Sequence, residues 1–232
     1  MFQLRPANQR GHGNYGWLDT WHSFSFNDYY DPQHMAFRVL RVMNEDRVAP
    51  GQGFGMHGHR DMEIITYVLS GELEHRDSLG SGEVLRPGEL QYMSAGTGIR
   101  HSEFNPSATE SVHLYQIWIV PEQAGLQPTY AQQAFDPSEK QGRLRVVASA
   151  DGRDGSIRVR QNVSIYLATL EAGQAIAAPF ETGRHGWLQM LRGSAQAGAD
   201  ALAAGDGLAI SEEPNVRIEA QEAAEIMLFD LP

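Results

Sequence analysis

The sequence predicts an all-β protein, a sandwich or barrel organised as two β units. Short runs rich in Val, Ile, Tyr and Trp recur along the 232 residues, and 24 glycines and 11 prolines separate them. Helical periodicity is weak throughout the chain. A faint internal repeat also links the first half of the chain to the second. These three observations together favour a β fold in two units.

Four runs mark the predicted strands in chain order: 37–43 (FRVLRVM), 63–69 (EIITYVL), 112–120 (VHLYQIWIV) and 143–149 (RLRVVAS). The segment 121–141 is polar and follows the third run, so we expect it to cross from one unit to the next. Within that segment, we expect short turns at residues 130–135.

The charge and composition exclude several classes of function. A net charge of −11, from 29 acidic and 18 basic residues, would repel phosphate backbones and anionic membrane surfaces, so we expect no direct nucleic-acid binding and no membrane association. The first 16 residues hold no continuous apolar segment, and no later run reaches the roughly 20 apolar residues that span a bilayer, so we expect a cytoplasmic protein. Because cysteine is absent, any metal must be held by His, Asp or Glu.

Two histidines one residue apart, His57 and His59, lie near the start of the stretch GMHGHRDMEIITYVLSG. Successive strand side chains point to opposite faces, so these two share a face with Cα atoms roughly 6.5 Å apart, and both imidazoles can converge on one ion. An HxH pair also arises by chance at the end of an ordinary strand. A second pair with the same spacing, His101 and Glu103 in GTGIRHSEFN, favours a metal site over a chance occurrence.

The two pairs together offer three imidazole nitrogens and one carboxylate to a single divalent ion. Zinc would close such a set tetrahedrally, whereas Fe(II), Mn, Ni or Cu would keep open positions for water, substrate or dioxygen. Glu63 lies an even number of residues from His57 and His59 and would share their face of a strand, but an extended strand places it roughly 13 Å from His59. Unless the strand bends, we therefore expect Glu63 to be a supporting or structural carboxylate.

Other residues near these pairs allow both a structural and a functional interpretation. His113 lies in an apolar run, which favours a core or supporting position. His75 lies in a turn-rich hairpin, which favours a solvated position or the mouth of a site. His22 fits a core position or the edge of a cavity equally well. Four further residues are candidates for an apolar lining, although they suit a barrel core as well: Phe54, Met56, Met93 and Trp118.

The internal repeat pairs YVLSG (67–71) with QMLRG (189–193), and PGELQYMS (87–94) with AGDGLAIS (204–211). Aligning these segments places a non-ligand or an isolated carboxylate opposite each candidate ligand: Pro179 at His57, Glu181 at His59, Ile218 at His101 and Ala220 at Glu103. The second unit is therefore expected to lack the ligands.

The spacing Gly51-x5-His57-x-His59-x3-Glu63 with Gly71 resembles the first cupin motif, and Gly88-x5-Ser94-x-Gly96-x4-His101-x3-Asn105 resembles the second. It departs from most cupins, because the first-motif Glu stands one residue earlier, Ser94 replaces a proline, and two extra residues precede His101. This altered pattern is similar to that of the pirin family, as are HRDSLG (75–80), MSAGTGIRHSE (93–103) and LYQIWI (114–119). The segment GWLDTWHSFSFNDYYDP (16–32) looks like the bacterial branch of that family.

The resemblance implies a bicupin of two double-stranded β-helix (jelly-roll) barrels. Its metal-binding N-terminal barrel would occupy residues 1–125, and a C-terminal barrel without metal ligands would occupy residues 126–232. The resemblance also implies that one divalent ion is held by His57, His59, His101 and Glu103. Fe(II) is the expected ion, and Mn, Ni, Cu, Co and Zn are the alternatives.

Some pirin-like proteins oxidise quercetin, so the resemblance implies a dioxygenase that opens the heterocyclic ring of a flavonol with O2 and releases CO. Glu103, the only carboxylate of the set, is the candidate base for the proton of the 3-hydroxyl group. The expected partners are a small aromatic phenol and O2, bound by a monomer. The alternative is a non-catalytic protein whose metal state governs its binding to a protein partner.

Overall fold

Strands make up nearly all of the regular structure in the computed structural model, which describes residues 1–232. The first half of the chain contains β1 (Phe2–Arg5), β2 (Gly11–Asn14), β3 (Leu18–His22), β4 (Leu40–Val48), β5 (Gly53–His59), β6 (Glu63–Ser70), β7 (Leu73–Asp77), β8 (Gly82–Leu85), β9 (Glu89–Ser94), β10 (Ile99–Phe104), β11 (Val112–Ile119) and β12 (Thr129–Ala134).

The second half contains β13 (Arg145–Ser149), β14 (Ile157–Arg158), β15 (Ser164–Leu170), β16 (Ala175–Pro179), β17 (His185–Arg192), β18 (Ser194–Ala197), β19 (Asp200–Ala203), β20 (Gly207–Ser211), β21 (Asn215–Ala220) and β22 (Ala224–Leu231). The helical elements are α1 (Pro137–Lys140) and two 3-10 turns, Ala7–Gln9 and Arg153–Gly155. No helix has the length and hydropathy needed to cross a membrane.

The N-terminal unit consists of two antiparallel sheets. The large sheet has the order β12-β9-β6-β11-β4-β3-β2, and the small sheet has the order β5-β10-β7-β8. The run EIITYVL forms β6 near the centre of the large sheet, where its β-branched residues suit a strand that is paired on both sides. Residues of both sheets pack in one apolar cluster: Leu18, Val48, Val68, Val112 and Leu114 from the large sheet, and Leu73 and Leu85 from the small sheet.

The C-terminal unit repeats this plan, with sheets ordered β1-β20-β17-β22-β15-β13-β14 and β16-β21-β18-β19. Strand β17 takes the place of β6, as the repeat in the sequence predicts. Buried residues of both sheets, among them Leu188, Ile210 and Ile218, form its core. The predicted all-β bicupin of jelly-roll type is confirmed. Within each unit the two sheets stay separate in their hydrogen bonding and do not close into one continuous barrel.

Two short segments depart from a simple division of the chain. Strand β1 lies at the edge of the large sheet of the C-terminal unit, where Phe2 pairs with Ile210 of β20. The C-terminal unit comprises Met1–Arg10, Phe135–Arg158 and Asn162–Pro232, and the N-terminal unit comprises Gly11–Ala134 and Val159–Gln161. The domain boundary between residues 125 and 126 stays a prediction.

Residues 130–134 form strand rather than turns, which corrects the expectation from the sequence. They belong to β12, which pairs with β9 along its full length. The helical element begins only at α1, where the Asp136 carboxylate accepts a hydrogen bond from the Ser138 amide at 2.8 Å. Strand β12 lies at the edge of its sheet, and a polar composition is common at such edges because it discourages pairing with other chains.

Candidate metal centre

Three histidines meet on the small sheet of the N-terminal unit. His57 and His59 lie on β5, and His101 lies directly opposite His57 on the neighbouring strand β10. The ring centroid of His57 is 4.7 Å from that of His59 and 4.5 Å from that of His101. One nitrogen from each of the three rings lies within 4.8 Å of the other two. The side chains therefore share one face, as the alternation of strand residues predicts.

The ring nitrogens are oriented for ligation. His57 Nδ1 lies 2.7 Å from the Gly55 carbonyl oxygen, so this nitrogen carries the proton and donates it. The lone pair of His57 is thereby placed on Nε2, which lies 3.1 Å from His101 Nε2. Two nitrogens that bind one ion at about 2.0–2.1 Å lie roughly 3 Å apart, so the observed separation matches that of two ligands. His101 Nδ1 is buried and has no hydrogen-bond partner.

Burial keeps the imidazoles of His59 and His101 neutral at physiological pH. It lowers the pKa of His59 to about 4, and the neighbouring His101 and His57 add to this shift. It lowers the pKa of His101 to about 3, with smaller contributions from His57 and His75. A neutral imidazole has the lone pair that a metal ligand requires. The three side chains can therefore hold a divalent metal ion, and their chemistry alone does not select one metal over another.

Glu103 lies two residues after His101 and is 1 % exposed. Gln116 Nε2 donates to its Oε2 at 2.8 Å, and Thr66 Oγ1 lies 3.4 Å from its Oε1. Trp118 Nε1 donates to Gln116 Oε1 at 3.1 Å, which fixes the orientation of the Gln116 amide. Desolvation raises the pKa of the Glu103 carboxyl, against the effect of the nearby histidines. The carboxylate is thus held in place on the strand of His101, and its ligation of a metal stays a prediction.

The pairing of β5 with β10 changes register between the two ligand candidates of β10. His101 faces His57, whereas Glu103 faces Phe54. Gly53 permits the close approach of the two strands at this point, because a Cβ atom there would lie 2.1 Å from the Glu103 carbonyl oxygen. This irregularity is a β-bulge, a feature that re-aims side chains next to functional sites.

A row of polar side chains crosses the large sheet at the level of Glu103. The members of this polar row occupy paired positions on six neighbouring strands: His22, Asn44, Gln116, Thr66, Gln91 and Gln132. Gln116 and Thr66 contact the Glu103 carboxylate, and His22 Nδ1 lies 2.8 Å from Asn44 Oδ1. The polar row thus supplies partners inside the barrel for groups that would otherwise be buried unpaired.

A cavity of about 820 Å3 opens onto this site. His57, His59 and Glu103 line it together with five aromatic side chains: Tyr15, Trp17, Phe26, Phe54 and Trp118. Trp17 contacts Phe54 edge to face at 5.3 Å, and Phe26 contacts Trp118 in the same way at 5.3 Å. Small-molecule sites occupy about 300–1,000 Å3, so the cavity has room for a ligand of several rings.

A second carboxyl group, that of Asp46, lines the same cavity. Asp46 is 3 % exposed and accepts a hydrogen bond from the Thr20 hydroxyl. Burial raises the pKa of Asp46 to about 7, the hydrogen bond from Thr20 opposes this shift, and the nearby Glu103 and Glu45 carboxylates add to it. Asp46 lies outside every motif that the sequence pattern singles out.

Glu63 is a structural carboxylate and lies outside the histidine cluster. It is 1 % exposed and accepts three hydrogen bonds: from the Tyr92 hydroxyl, from Ser94 Oγ at 2.7 Å and from the Arg160 backbone N–H at 3.1 Å. These contacts account for the carboxylate without a metal. They agree with the structural interpretation of Glu63.

We expect Glu63→Leu to lower the free energy of unfolding by at least about 2 kcal/mol, because each buried donor left without an acceptor costs about 1–3 kcal/mol. The metal content of the folded fraction should not change. Urea unfolding followed by tryptophan fluorescence measures the first quantity, and elemental analysis measures the second. A folded Glu63→Leu protein that has lost its metal would show that Glu63 takes part in ligation.

His75 is fully buried, which corrects the expectation of a solvated residue or one at the mouth. It lies opposite Glu103 on β7 and stacks on Tyr130 with ring centroids 4.8 Å apart. Neither of its ring nitrogens has a hydrogen-bond partner. Desolvation lowers the pKa of His75, and the nearby Glu103 and Asp77 oppose this shift. His75 therefore packs beside the site without joining the three converging rings.

The other candidate residues divide between the cavity and positions away from it. The cavity is lined by His22, Phe54 and Trp118. The remaining three lie elsewhere: His113 contacts Glu45 at 2.9 Å, Met56 is half exposed, and Met93 is buried in an apolar cluster with Ile64 and Ile99. The aromatic candidates thus contribute to the cavity wall, and the methionines do not.

The C-terminal unit has apolar side chains where the N-terminal unit has this centre. Ile218 stands opposite Ala197, as Glu103 stands opposite His75, and Ile218 is fully buried. The strand register therefore makes Ile218 the equivalent of Glu103. The sequence alignment instead pairs Ile218 with His101 and Ala220 with Glu103, a difference of two residues. Either alignment leaves an apolar residue there. The histidine triad is the one cluster of three or more His, Cys, Asp or Glu side chains placed to share an ion.

We therefore expect one tightly bound divalent ion per chain. Elemental analysis of protein purified by gel filtration, after reconstitution with excess metal, measures this ratio. Two ions per chain that survive dialysis would contradict the expectation, because the C-terminal unit offers no comparable set of donors.

Two family models match the chain. The model described as Pirin matches residues 3–119, and the model described as quercetinase C-terminal cupin domain matches residues 146–231. A protein of Escherichia coli K12 named quercetin 2,3-dioxygenase is 50 % identical over 232 residues, which cover 100 % of this chain and 99 % of that protein. A pirin-like protein of Caulobacter vibrioides is 38 % identical over 231 residues, which cover 99 % of both.

Solved structures show the same similarity. The crystal structure of YhhW from Escherichia coli gives a TM-score of 0.97 at 49 % identity and covers 100 % of this chain and 98 % of that chain. The crystal structure of bacterial pirin YhhW from Escherichia coli in complex with nickel(II) gives a TM-score of 0.96 at 49 % identity and covers 100 % of this chain and 99 % of that chain. That relative binds nickel.

Proposed function

The chain belongs to the pirin family of cupin proteins, and on that premise we propose that it is a metal-dependent dioxygenase that opens the heterocyclic ring of quercetin-like flavonols with O2 and releases CO. In this proposal one divalent ion, Fe(II), is held by His57, His59, His101 and Glu103. The metal-binding barrel is the N-terminal unit, and the C-terminal unit binds no metal.

The observation that carries the proposal is the aromatic cavity that opens onto the histidine triad and a buried carboxylate. A flavonol is a flat aromatic molecule with a hydroxyl group next to a carbonyl group. Trp118 and Phe54 offer faces and edges for stacking against such rings. The relatives named quercetin 2,3-dioxygenase support the same substrate class.

Different residues have different roles in the proposed reaction. Glu103 accepts the proton of the 3-hydroxyl group, and its pKa, raised by burial, makes it a stronger base than an exposed carboxylate. Gln116 and Thr66 hold the carboxylate in position for this transfer. The aromatic wall excludes water from the rings. A bound ion would supply Lewis acidity and an open coordination position to the reaction.

The test is an assay of metal-reconstituted protein against a small panel of phenols, with O2 consumption and CO release followed together. We expect a flavonol to be consumed with one CO released per O2, and no reaction with the chelator-stripped protein. The metal-sensing alternative predicts neither gas change, and predicts instead a protein partner whose affinity follows the oxidation state of the metal. Fully metal-loaded protein that releases no CO from any flavonol would overturn the proposal.

A further inference from the structure

Asp46 is a buried carboxyl group, and the protein groups around it do not offset the cost of removing it from water. It is 3 % exposed, and the groups that shift its pKa include three other carboxylates and no cation. Its Oδ1 accepts a hydrogen bond from the Thr20 hydroxyl, and this is its one side-chain hydrogen bond to the protein. Burial of a carboxyl group with so few partners costs free energy, and such groups cluster at binding sites, where a ligand supplies what the protein lacks.

The strand register places Asp46 in the cavity wall, two residues along β4 from Asn44 of the polar row. On the large sheet, Asp46 pairs with Thr20 of β3 on one side and with Leu114 of β11 on the other. Asn44, which belongs to the polar row, lies two residues away on the same face of β4 and also lines the cavity. Thr20, Asp46 and Asn44 thus form a polar strip in the wall of the cavity, which aromatic side chains also line.

The strip is distinct from the metal centre, because its residues lie on β3 and β4 of the large sheet, whereas the three histidines lie on β5 and β10 of the small sheet. A ligand that spans the cavity therefore meets two polar sites, one at Glu103 and one at Asp46. Aromatic side chains, among them Trp118 and Phe54, line the same cavity. This pattern fits a flat aromatic molecule with hydroxyl groups at separate positions on its rings.

We propose that Asp46, positioned by Thr20, is a second hydroxyl-binding site that selects polyhydroxylated aromatic substrates over those with the reacting hydroxyl alone. This inference rests on the proposed function, since it assigns the specificity of the same cavity. A phenolic hydroxyl donates to the free Asp46 oxygen, which replaces the water that the carboxyl group would have in solution. Asp46 takes part in binding and not in the proton transfer at Glu103.

The test compares the binding of quercetin with that of 3-hydroxyflavone, which carries only the reacting hydroxyl group. Isothermal titration calorimetry under argon, on nickel-loaded protein, measures affinity without turnover. We expect the wild type to bind quercetin more tightly. Asp46→Leu should weaken quercetin binding about tenfold or more and leave 3-hydroxyflavone binding unchanged. Asp46→Asn, which keeps a hydrogen-bonding side chain of the same shape, should retain most of the preference.

The matched control is Asp19→Leu, because Asp19 is the neighbouring strand aspartate whose side chain contacts His12 outside the cavity. This variant should bind both compounds as the wild type does. If Asp46→Leu fails to fold, Thr20→Val tests the same site by removing the hydroxyl that positions Asp46, and it should weaken quercetin binding selectively. Equal weakening for both compounds, or no weakening for either, overturns the inference.

The outcome separates this inference from the proposed function. Turnover of both flavonols, with equal affinities that Asp46→Leu does not change, keeps the dioxygenase and rejects the hydroxyl-binding site. Selective loss of quercetin binding in a protein that releases no CO keeps the hydroxyl-binding site and rejects the dioxygenase. Failure of the wild type to bind either compound rejects both.

Discussion

Glu103→Gln lowers the turnover rate per bound metal ion by about 10²-fold or more, the effect expected for loss of a positioned general base. Glutamine keeps the length of the side chain and an oxygen that can approach a metal, but an amide cannot accept the flavonol proton at neutral pH. The three histidines should still retain a good part of the metal. The measurement is the rate of CO release or O2 uptake divided by metal content, wild type against variant.

Glu45→Gln is the matched control for this experiment, because Glu45 is also a buried carboxylate of the same unit but contacts His113 and Arg47 instead of the cavity. Its rate per metal ion should stay close to that of the wild type, since the Glu45 side chain does not line the cavity. A ratio near one for Glu103→Gln would mean that Glu103 is a ligand and no base. The proposed mechanism would then be wrong, even with the fold and the triad unchanged.

Removing any one of the three histidines should lower metal occupancy and activity together. His57→Ala, His59→Ala and His101→Ala each delete one nitrogen donor from the proposed set of four ligands, which weakens the hold on the ion. Loss of a group that merely orients a ligand costs about 10–100-fold in affinity or activity, and loss of the ligand itself should exceed that. Elemental analysis and the CO assay on the same samples measure both effects.

The same variants should remain folded, because ladders of backbone hydrogen bonds and apolar clusters hold the strands without the ion. Circular dichroism and thermal unfolding of each variant check this. His113→Ala is the control, since His113 is a histidine of the same unit that contacts Glu45 and lies outside the triad. Unfolding of the metal-free protein at room temperature would contradict the expectation.

The histidine triad could be anticipated from the sequence because it depends on a local rule. Residues two apart on a strand share a face, and that rule brings His57 and His59 together without knowledge of the neighbouring strands. Its extension to His101 required only that two such strands be adjacent. The bulge between His101 and Glu103 has no signal in the sequence beyond Gly53, and a glycine at that position is equally compatible with a turn before the strand.

The residues that position Glu103 could not be anticipated in the same way. Gln116 and Thr66 reach Glu103 because β11 and β6 are neighbours in the sheet. The sequence of either strand alone does not determine which distant strand it pairs with. Asp46 has no motif around it for the same reason. The position of His75 differs from the expectation because the turn residues of its hairpin lie after the strand, from Ser78 onward, while His75 itself points inward.

The edge position of β1 has a consequence for protein synthesis. Phe2 leaves the ribosome long before its partner Ile210 is made, and at about 5–20 residues per second the delay is roughly 10–40 s. Throughout that interval β1 has no strand to pair with, and β20 later emerges with an open edge that another nascent chain could occupy. A fragment that begins at Phe135, where the C-terminal unit resumes after β12, keeps this edge open permanently. We therefore expect such a fragment to aggregate unless a peptide of sequence FQLR is supplied in trans.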